Sequence, residues 1–430
     1  YDKRMTKRDC GLKRILSLFV CRNLFLKVSS IMIASCSLHA TTAFRVTSRS
    51  VFLRVSVTDD RSPFSHQFRT KTIASDSVRS KSKCVETIAD TAIGMTTEGK
   101  ALLDGLEVFM VPASGDNHPL AVYGIDNSTL TKNFSSEQSL EKARPVLLLH
   151  GRTWSSVPVY HLLGGPSRKE KGLESRSLME ALYDKGLQPY AMDFRGFGGT
   201  PMDATKCVEP FRCVSDVETV LRWISKRHGV VEDTIPVNDA KASLDMPALL
   251  GWSQGALVAQ MVAQKNHHLL SKLVLYGSIY DPLIRYVRDP LYTTSPASDE
   301  CPIINTADAA MEDFTIEGTI SQETAIAFAE AALISDPHKA NWKHLYQFNT
   351  LDPARVHVPT LVVAGDQDPY APLHIQADLF TNLGRGSDRT WSILADADHA
   401  AHMLDGRERF CNLVTSFVQN GKRSDKSHYL

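Results

Sequence analysis

One serine in this chain lies where a hydroxyl can become a nucleophile. Residues Leu249-Leu250-Gly251-Trp252-Ser253-Gln254-Gly255-Ala256 set Ser253 in a G-x-S-x-G pattern. An apolar run precedes it, and small residues at Ala256, Ala259 and Ala263 follow. A strand that turns this sharply into a helix leaves no room for side chains two positions before and after the turn residue. Gly251 and Gly255 supply that room. Such a turn lifts the hydroxyl clear of the sheet and places the next backbone N–H, that of Gln254, at a helix start. The chemistry this favours is covalent: the serine oxygen attacks a carbonyl while backbone donors hold the developing negative charge. The plainer alternative is a tight strand-to-helix turn whose serine only caps the helix.

A serine nucleophile needs a base and a carboxylate to orient it. Two histidines, His399 and His402, stand in Asp396-Ala397-Asp398-His399-Ala400-Ala401-His402. Two carboxylates, Asp366 and Asp368, stand in Val363-Ala364-Gly365-Asp366-Gln367-Asp368-Pro369. Asp366 lies close to a strand end. Asp368 lies two residues further, in a turn stiffened by Pro369, where the chain has left the sheet and can face the histidine loop. His399 and His402 find no third metal ligand, and H-E-x-x-H is absent. There is no Gly-rich phosphate loop either, so neither a metal nor a cofactor is expected. His267 and His268 end a helix and interact with its dipole. Trp154, Trp252 and Tyr286 are candidates to line a substrate pocket, with ordinary core packing as the alternative.

These residues must be held by a scaffold, and the chain spells one. Leu106–Val111 and Leu120–Ile125 read as an opening pair of strands. Val146–Leu149 is a continuous apolar run of the kind buried on both faces of a parallel sheet. Tyr190–Phe194, Met246–Leu250, Leu273–Tyr276, Thr360–Ala364 and Thr390–Leu394 repeat the pattern. Helical stretches lie between them at Leu173–Lys185, Val214–Arg227, Ala256–Lys265 and Arg407–Gln419. Alternation of this kind predicts an α/β fold with a mostly parallel sheet flanked by helices. From Tyr280 to Val356 the alternation stops. Gln322–Ile334 has helical spacing at Ile326, Ala329 and Leu333, and Asn341–Gln347 reads as another short helix. The expected division is a leader over 1–95, a core over 100–279 and 357–422, and an inserted helical cap over 280–356. The cap would sit over the strand ends, where open α/β sheets bind ligands.

The motifs, taken in order, resemble the α/β-hydrolase superfamily, in particular serine-nucleophile esterases with a helical cap. Leu149-His150-Gly151-Arg152 is similar to the family's strand-HG-x element, and implies Arg152 N–H as a second oxyanion donor beside Gln254 N–H. Asp193-Phe194-Arg195-Gly196-Phe197-Gly198 resembles its D-x-R-G-x-G turn, which is structural. The G-x-x-D pattern implies Asp368 as the acid, and the histidine after an acidic turn implies His399 as the base, with His402 as the alternative. Asp398 stands where the family usually has glycine; aspartate tolerates the left-handed conformation a glycine would adopt there. The order Ser, Asp, His is the one this fold uses. The resemblance covers about residues 105–420. It implies a serine hydrolase cleaving a carboxyl ester of a moderately apolar small molecule through an acyl-enzyme. Amide or thioester hydrolysis, acyl transfer, C–C hydrolysis and cofactor-free peroxidation remain alternatives, as does a non-catalytic binding protein on the same fold.

Composition agrees. Apolar residues make up 43% and charged residues 22%, which excludes a disordered chain and a polytopic membrane protein. Lys+Arg and Asp+Glu balance at 48 each. The balance is uneven along the chain: residues 1–85 hold 17 basic and 5 acidic residues, leaving 31 and 43 beyond them. An acidic body makes a nucleic-acid partner unexpected. Short apolar runs at Ile15–Val20 and Ile31–Ala34 fall short of a membrane span. Ala43-Phe44 followed by an Arg/Ser/Thr-rich stretch to Lys83 resembles the bipartite presequence of algae with secondary plastids, so a plastid address is expected, with mitochondrial or secretory targeting as alternatives. Met5 and Met32 are both candidate starts. The eight cysteines include no C-x-x-C pair, so a zinc or thioredoxin-like site has no support, and their irregular spacing favours free thiols, with a Cys207–Cys213 bridge as the alternative.

Overall fold

Among the described residues eight strands build one sheet: β1 (Leu106–Pro112), β2 (Pro119–Ile125), β3 (Arg144–Leu149), β4 (Leu187–Met192), β5 (Ala248–Trp252), β6 (Leu273–Tyr276), β7 (Thr360–Gly365) and β8 (Arg389–Leu394). Their spatial order is β1-β2-β4-β3-β5-β6-β7-β8. β2 is antiparallel to both β1 and β4. Every later pair is parallel. The computed structural model describes residues 96–126, 143–170, 172, 174–230, 246–288 and 303–420. The expected leader over 1–95, and the N-x-[ST] triplets at Asn127 and Asn133, lie outside the described residues.

The apolar runs explain the sheet's burial. Val146–Leu149 and Ala248–Leu250 carry no polar residue on either face, and all are fully buried. Successive side chains point to opposite faces. Leu148, Leu250 and Val363 pack into one apolar cluster, while Leu147, Leu149, Leu249 and Val362 pack into the other. The helices Leu178–Asp184 and Glu408–Gln419 cover the first face; Pro210–Arg227 and Gln254–Lys265 cover the second.

All eight expected strands form, with shifted ends. β4 begins at Leu187, three residues before the expected Tyr190, because Gln188 and Pro189 break the apolar run in the sequence yet pair with β3. Pro189 is tolerated because β2 pairs only with Tyr190–Met192 on the other side. The helix expected over Leu173–Lys185 starts only at Leu178. Ser177 caps it by accepting the N–H of Glu180 at 3.0 Å, and this S-x-x-E signal marks the true start.

Between β6 and β7 the described residues form no strand longer than an isolated bridge. They contain short helices at Ala307–Met311 and Gln322–Ser335 and a 3₁₀ segment at Leu345–Thr350. That last segment replaces the helix expected over Asn341–Gln347, because Trp342 bridges to Val208 instead. Cys207, Cys213 and Cys411 are free, so no Cys207–Cys213 bridge forms. Among the described residues no helix is long and apolar enough to cross a membrane.

Candidate active site

β5 runs straight into Ser253, and the helix Gln254–Lys265 starts one residue later. Ser253 itself holds φ 57° and ψ −122°, a backbone conformation that side-chain-bearing residues rarely adopt and that costs energy. Its side chain makes no capping bond to the helix, so the helix-cap alternative is not what the residue does. The glycines earn their positions sterically. A Cβ on Gly251 would lie 2.4 Å from the Gly255 carbonyl oxygen, and one on Gly255 would lie 2.3 Å from that of His150. The strained serine is thus held by two backbones packed too closely for any side chain.

The strand-end carboxylates separate clearly. Asp368 Oδ2 lies 2.8 Å from His399 Nδ1, and both residues are buried. Asp368 Oδ1 accepts the backbone N–H groups of Tyr370 (2.9 Å) and Ala371 (3.0 Å). Both oxygens therefore have fixed partners. Asp366 is exposed, and its Oδ1 accepts only the N–H of Ala397 at 3.3 Å.

His399 is anchored by its backbone as well. Trp252 Nε1 and Tyr276 Oη donate to its carbonyl oxygen, at 2.8 and 2.9 Å. Trp252 directly precedes Ser253, so one side chain ties the serine turn to the histidine loop. This role was not legible in the sequence, where Trp252 was only a pocket candidate. Trp154, the second such candidate, is buried with its ring against Phe328, 6.4 Å between centroids. Tyr286, the third, is half-buried, with its ring 6.1 Å from Phe348.

His402 is buried, with protein atoms against both ring nitrogens. Nε2 faces the Val159 carbonyl at 3.1 Å and Nδ1 lies 3.2 Å from Tyr276 Oη. Burial pushes its pKa down to about 3, so it stays neutral. Asp398 does not take the left-handed conformation expected of it; Asp396 does, at φ 53°. The reason is in the Asp398 carboxylate, which accepts the N–H groups of Ala400 (2.9 Å) and of Thr315 (2.8 Å) in the segment between β6 and β7. An aspartate bonded to the second following N–H makes its own turn and does not need a glycine's freedom.

The loop after β3 is set by His150. Its Nε2 accepts the N–H of Phe194 at 3.1 Å, so the remaining proton is on Nδ1, which donates to the Gly151 carbonyl at 3.0 Å. Burial pushes this histidine down to about 3, which keeps it neutral and able to do both. In a trans peptide the C=O and N–H point opposite ways. With the Gly151 carbonyl drawn to His150, the Arg152 N–H is turned away from it. Gly151 lies against the serine: a Cβ there would be 3.2 Å from Ser253 Cβ. Arg195, in the D-x-R-G-x-G turn, donates both Nε and Nη2 to Asp216 at 2.8 Å each and also binds Asp116, a structural knot.

The segment between β6 and β7 meets the site at further points. Trp342 Nε1 donates to the Arg152 carbonyl at 3.0 Å. Asp336 accepts the N–H of Ser155 (2.7 Å) and of Gly198 (3.0 Å). Asp193 accepts those of the next residues, Ser156 (2.8 Å) and Gly199 (2.9 Å). Two buried carboxylates thus grip the same two loops. Burial pushes Asp336 up to about 7 and Asp193 up to about 6.

Residues 146–413 match the sequence model of the alpha/beta hydrolase family. No curated protein sequence matches the chain. Among solved structures, a thermophilic esterase from Thermogutta terrifontis is 16% identical, with 73% of this chain and 98% of that one covered and a TM-score of 0.48. The carboxylesterase CesB from Bacillus subtilis is 13% identical, with 75% and 96% covered and a TM-score of 0.46. A serine hydrolase involved in carbazole degradation is 18% identical, with 73% and 98% covered and a TM-score of 0.44. With the family's model spanning most of the sheet and all of the motifs described above, this chain belongs to the alpha/beta hydrolase family.

Proposed function

We propose that this chain hydrolyses a carboxyl ester of a moderately apolar small molecule, with Ser253 as nucleophile, His399 as base and Asp368 as its orienting acid. The observation that carries the reading is the buried Asp368–His399 pair at 2.8 Å, tied through Trp252 Nε1 to the turn that holds Ser253 in a strained conformation. A carboxylate accepts only, so His399 Nδ1 carries the proton and Nε2 presents its lone pair. That nitrogen takes the Ser253 proton as the oxygen attacks the ester carbonyl. Asp368 then steadies the imidazolium, and Oδ1, held by two N–H groups, cannot swing away.

The oxyanion rests on the N–H groups of Gln254 and Arg152. Gln254 opens a helix, where the first N–H groups have no intrahelical partner. Arg152 N–H is turned outward by the His150–Gly151 bond described above. Each donor of this kind contributes about 2.7–4 kcal/mol toward the transition state. His399 next protonates the leaving alcohol, and water releases the acyl group by the reverse sequence. The segment between β6 and β7 acts as a cap that shapes substrate preference, since its bonds reach Asp398, Ser155 and Arg152 around the site. The leader, in this reading, is a removable plastid address.

A panel of nitrophenyl esters of increasing acyl length, with matched thioesters and amides, tests the reading. Ester hydrolysis lost in Ser253→Ala supports it. Activity confined to thioesters or amides moves the assignment to that bond, and activity retained in Ser253→Ala refutes the nucleophile.

A further inference from the structure

Asp313 lies in the segment between β6 and β7, and no catalytic step above uses it. Its neighbours fix it against the site. Thr315 donates its N–H to Asp398 Oδ2 at 2.8 Å, one residue before His399. Phe314 packs edge-on to Phe328 at 5.3 Å, and Phe328 packs on Trp154. Asp313 is thereby held between the histidine loop and the Trp154 indole. His399 and the Trp154 side chain both favour the charged form of its carboxyl, against the desolvation of burial. Tyr370, whose ring lies 5.0 Å from that of His399, feels the Asp313 carboxylate most strongly among its charged neighbours.

No lysine or arginine pairs with Asp313 among the described residues. Its other charged neighbours, Asp398 and Glu312, are acids. A carboxylate partly withdrawn from water without a cation is an unsatisfied charge that a cation from outside can satisfy. We propose that Asp313 is a specificity-determining residue which favours substrates bearing an ammonium group near the acyl carbonyl and disfavours those bearing an anion there. The proposal rests on the serine-hydrolase reading of Ser253 and His399.

The test compares the rates at which three phosphonates modify Ser253: one neutral, one carrying a trimethylammonium group and one carrying a carboxylate at the same distance from phosphorus. The wild-type chain is expected to react fastest with the cation and slowest with the anion. In Asp313→Asn, which keeps the shape and can still accept from Trp154, the cation-to-anion rate ratio is expected to fall about tenfold or more, the scale of one partly screened charge pair. A purely structural Asp313 would leave the ratio unchanged. No charge preference in the wild type, or one that survives in Asp313→Asn, overturns the proposal. Failure of all three probes to mark Ser253 refutes the serine-hydrolase reading, and this proposal with it.

A second measurement needs no variant. Burial pushes the Asp313 carboxyl up to about 6, against the opposing pull of His399 and Trp154. The cation-to-neutral ratio should therefore fall as pH drops through about 6. As the base His399 serves both probes alike, and any effect of its charge on the ratio persists in Asp313→Asn, where the same scan measures it. Asp398, Glu312 and Tyr370 also face Asp313, and the same scan on Asp313→Asn removes their share. A ratio that is flat across that range contradicts the proposal.

Discussion

At the scale of single residues, the assignment turns on which of two aspartates meets His399. Asp368 bonds His399 Nδ1, while Asp366 is exposed and spans only to Ala397 N. Asp368→Asn puts an amide where a pure acceptor is needed and favours the wrong imidazole tautomer. We expect kcat to fall roughly 10³–10⁴-fold with the fold intact. Asp366→Asn should stay within about threefold, since it gives up one weak turn bond. Steady-state kinetics and thermal melts of both variants decide it; a crippled Asp366→Asn beside a near-normal Asp368→Asn reverses the assignment. His402 predicts the opposite phenotype. With Nε2 donating to the Val159 carbonyl and the ring buried, His402→Ala should cost about 2–4 kcal/mol of stability. Denaturant unfolding measures this, and an unchanged midpoint would contradict it. Sequence spacing could rank Asp368 over Asp366, because a strand end followed by Pro369 says where the chain leaves the sheet. It could not see what holds His399. Trp252 and Tyr276 reach its carbonyl from positions more than a hundred residues away, and no local pattern records such a bond.

At the scale of elements, the legible parts were those with a strong period. The buried strands read directly because apolar runs with no polar face have one home in a parallel sheet. The segment between β6 and β7 read as a place where that pattern stops and as one helix, Gln322–Ile334, which forms as Gln322–Ser335. Its attachment depends on isolated polar residues, Thr315, Asp336 and Trp342, whose partners lie on distant loops. Asp336 offers a pH test of that attachment. Its ordinary value of 3.8 rises to about 7 on folding, chiefly through burial. The folded chain then holds a proton that the unfolded chain releases, so this contribution to stability is complete below about pH 4 and is lost as pH rises through about 7. Melting temperature should fall between about pH 5 and about pH 8, and more steeply in the wild type than in Asp336→Asn. Parallel slopes would show that Asp336 does not carry the proton. Asp336→Asn also loses an acceptor for Ser155 N or Gly198 N, so it should be less stable by about 1–3 kcal/mol at neutral pH.

At the scale of the whole molecule, everything that positions the candidate site falls within one compact unit, Lys81–Leu430. Among the described residues, the sheet, both apolar clusters and the hydrogen bonds around Ser253, His399 and Asp368 are all made by residues 96–420. A chain shortened to begin at Met95 should therefore fold, and its melting temperature should match that of the full chain within a few degrees. A molten or aggregated product would show that earlier residues belong to the fold. The charge asymmetry that set the leader apart was legible from composition alone. The plastid address remains a proposal that rests on resemblance alone, and imaging the tagged chain with its leader tests it. The fold class follows from alternation and is borne out by the family match over residues 146–413. The substrate was not legible, because the residues proposed to choose it, Asp313 among them, lie in a stretch without a sequence period.

The central claim is that Ser253 is a nucleophile activated by His399. Intact-mass and peptide mass spectrometry after treatment with a fluorophosphonate tests it most directly. We expect a single adduct on the peptide bearing Ser253, with parallel loss of ester hydrolysis. The adduct should vanish in Ser253→Ala and form far more slowly in His399→Ala. A folded, ester-hydrolysing sample that takes no adduct on Ser253, or takes it on another residue, would contradict the account.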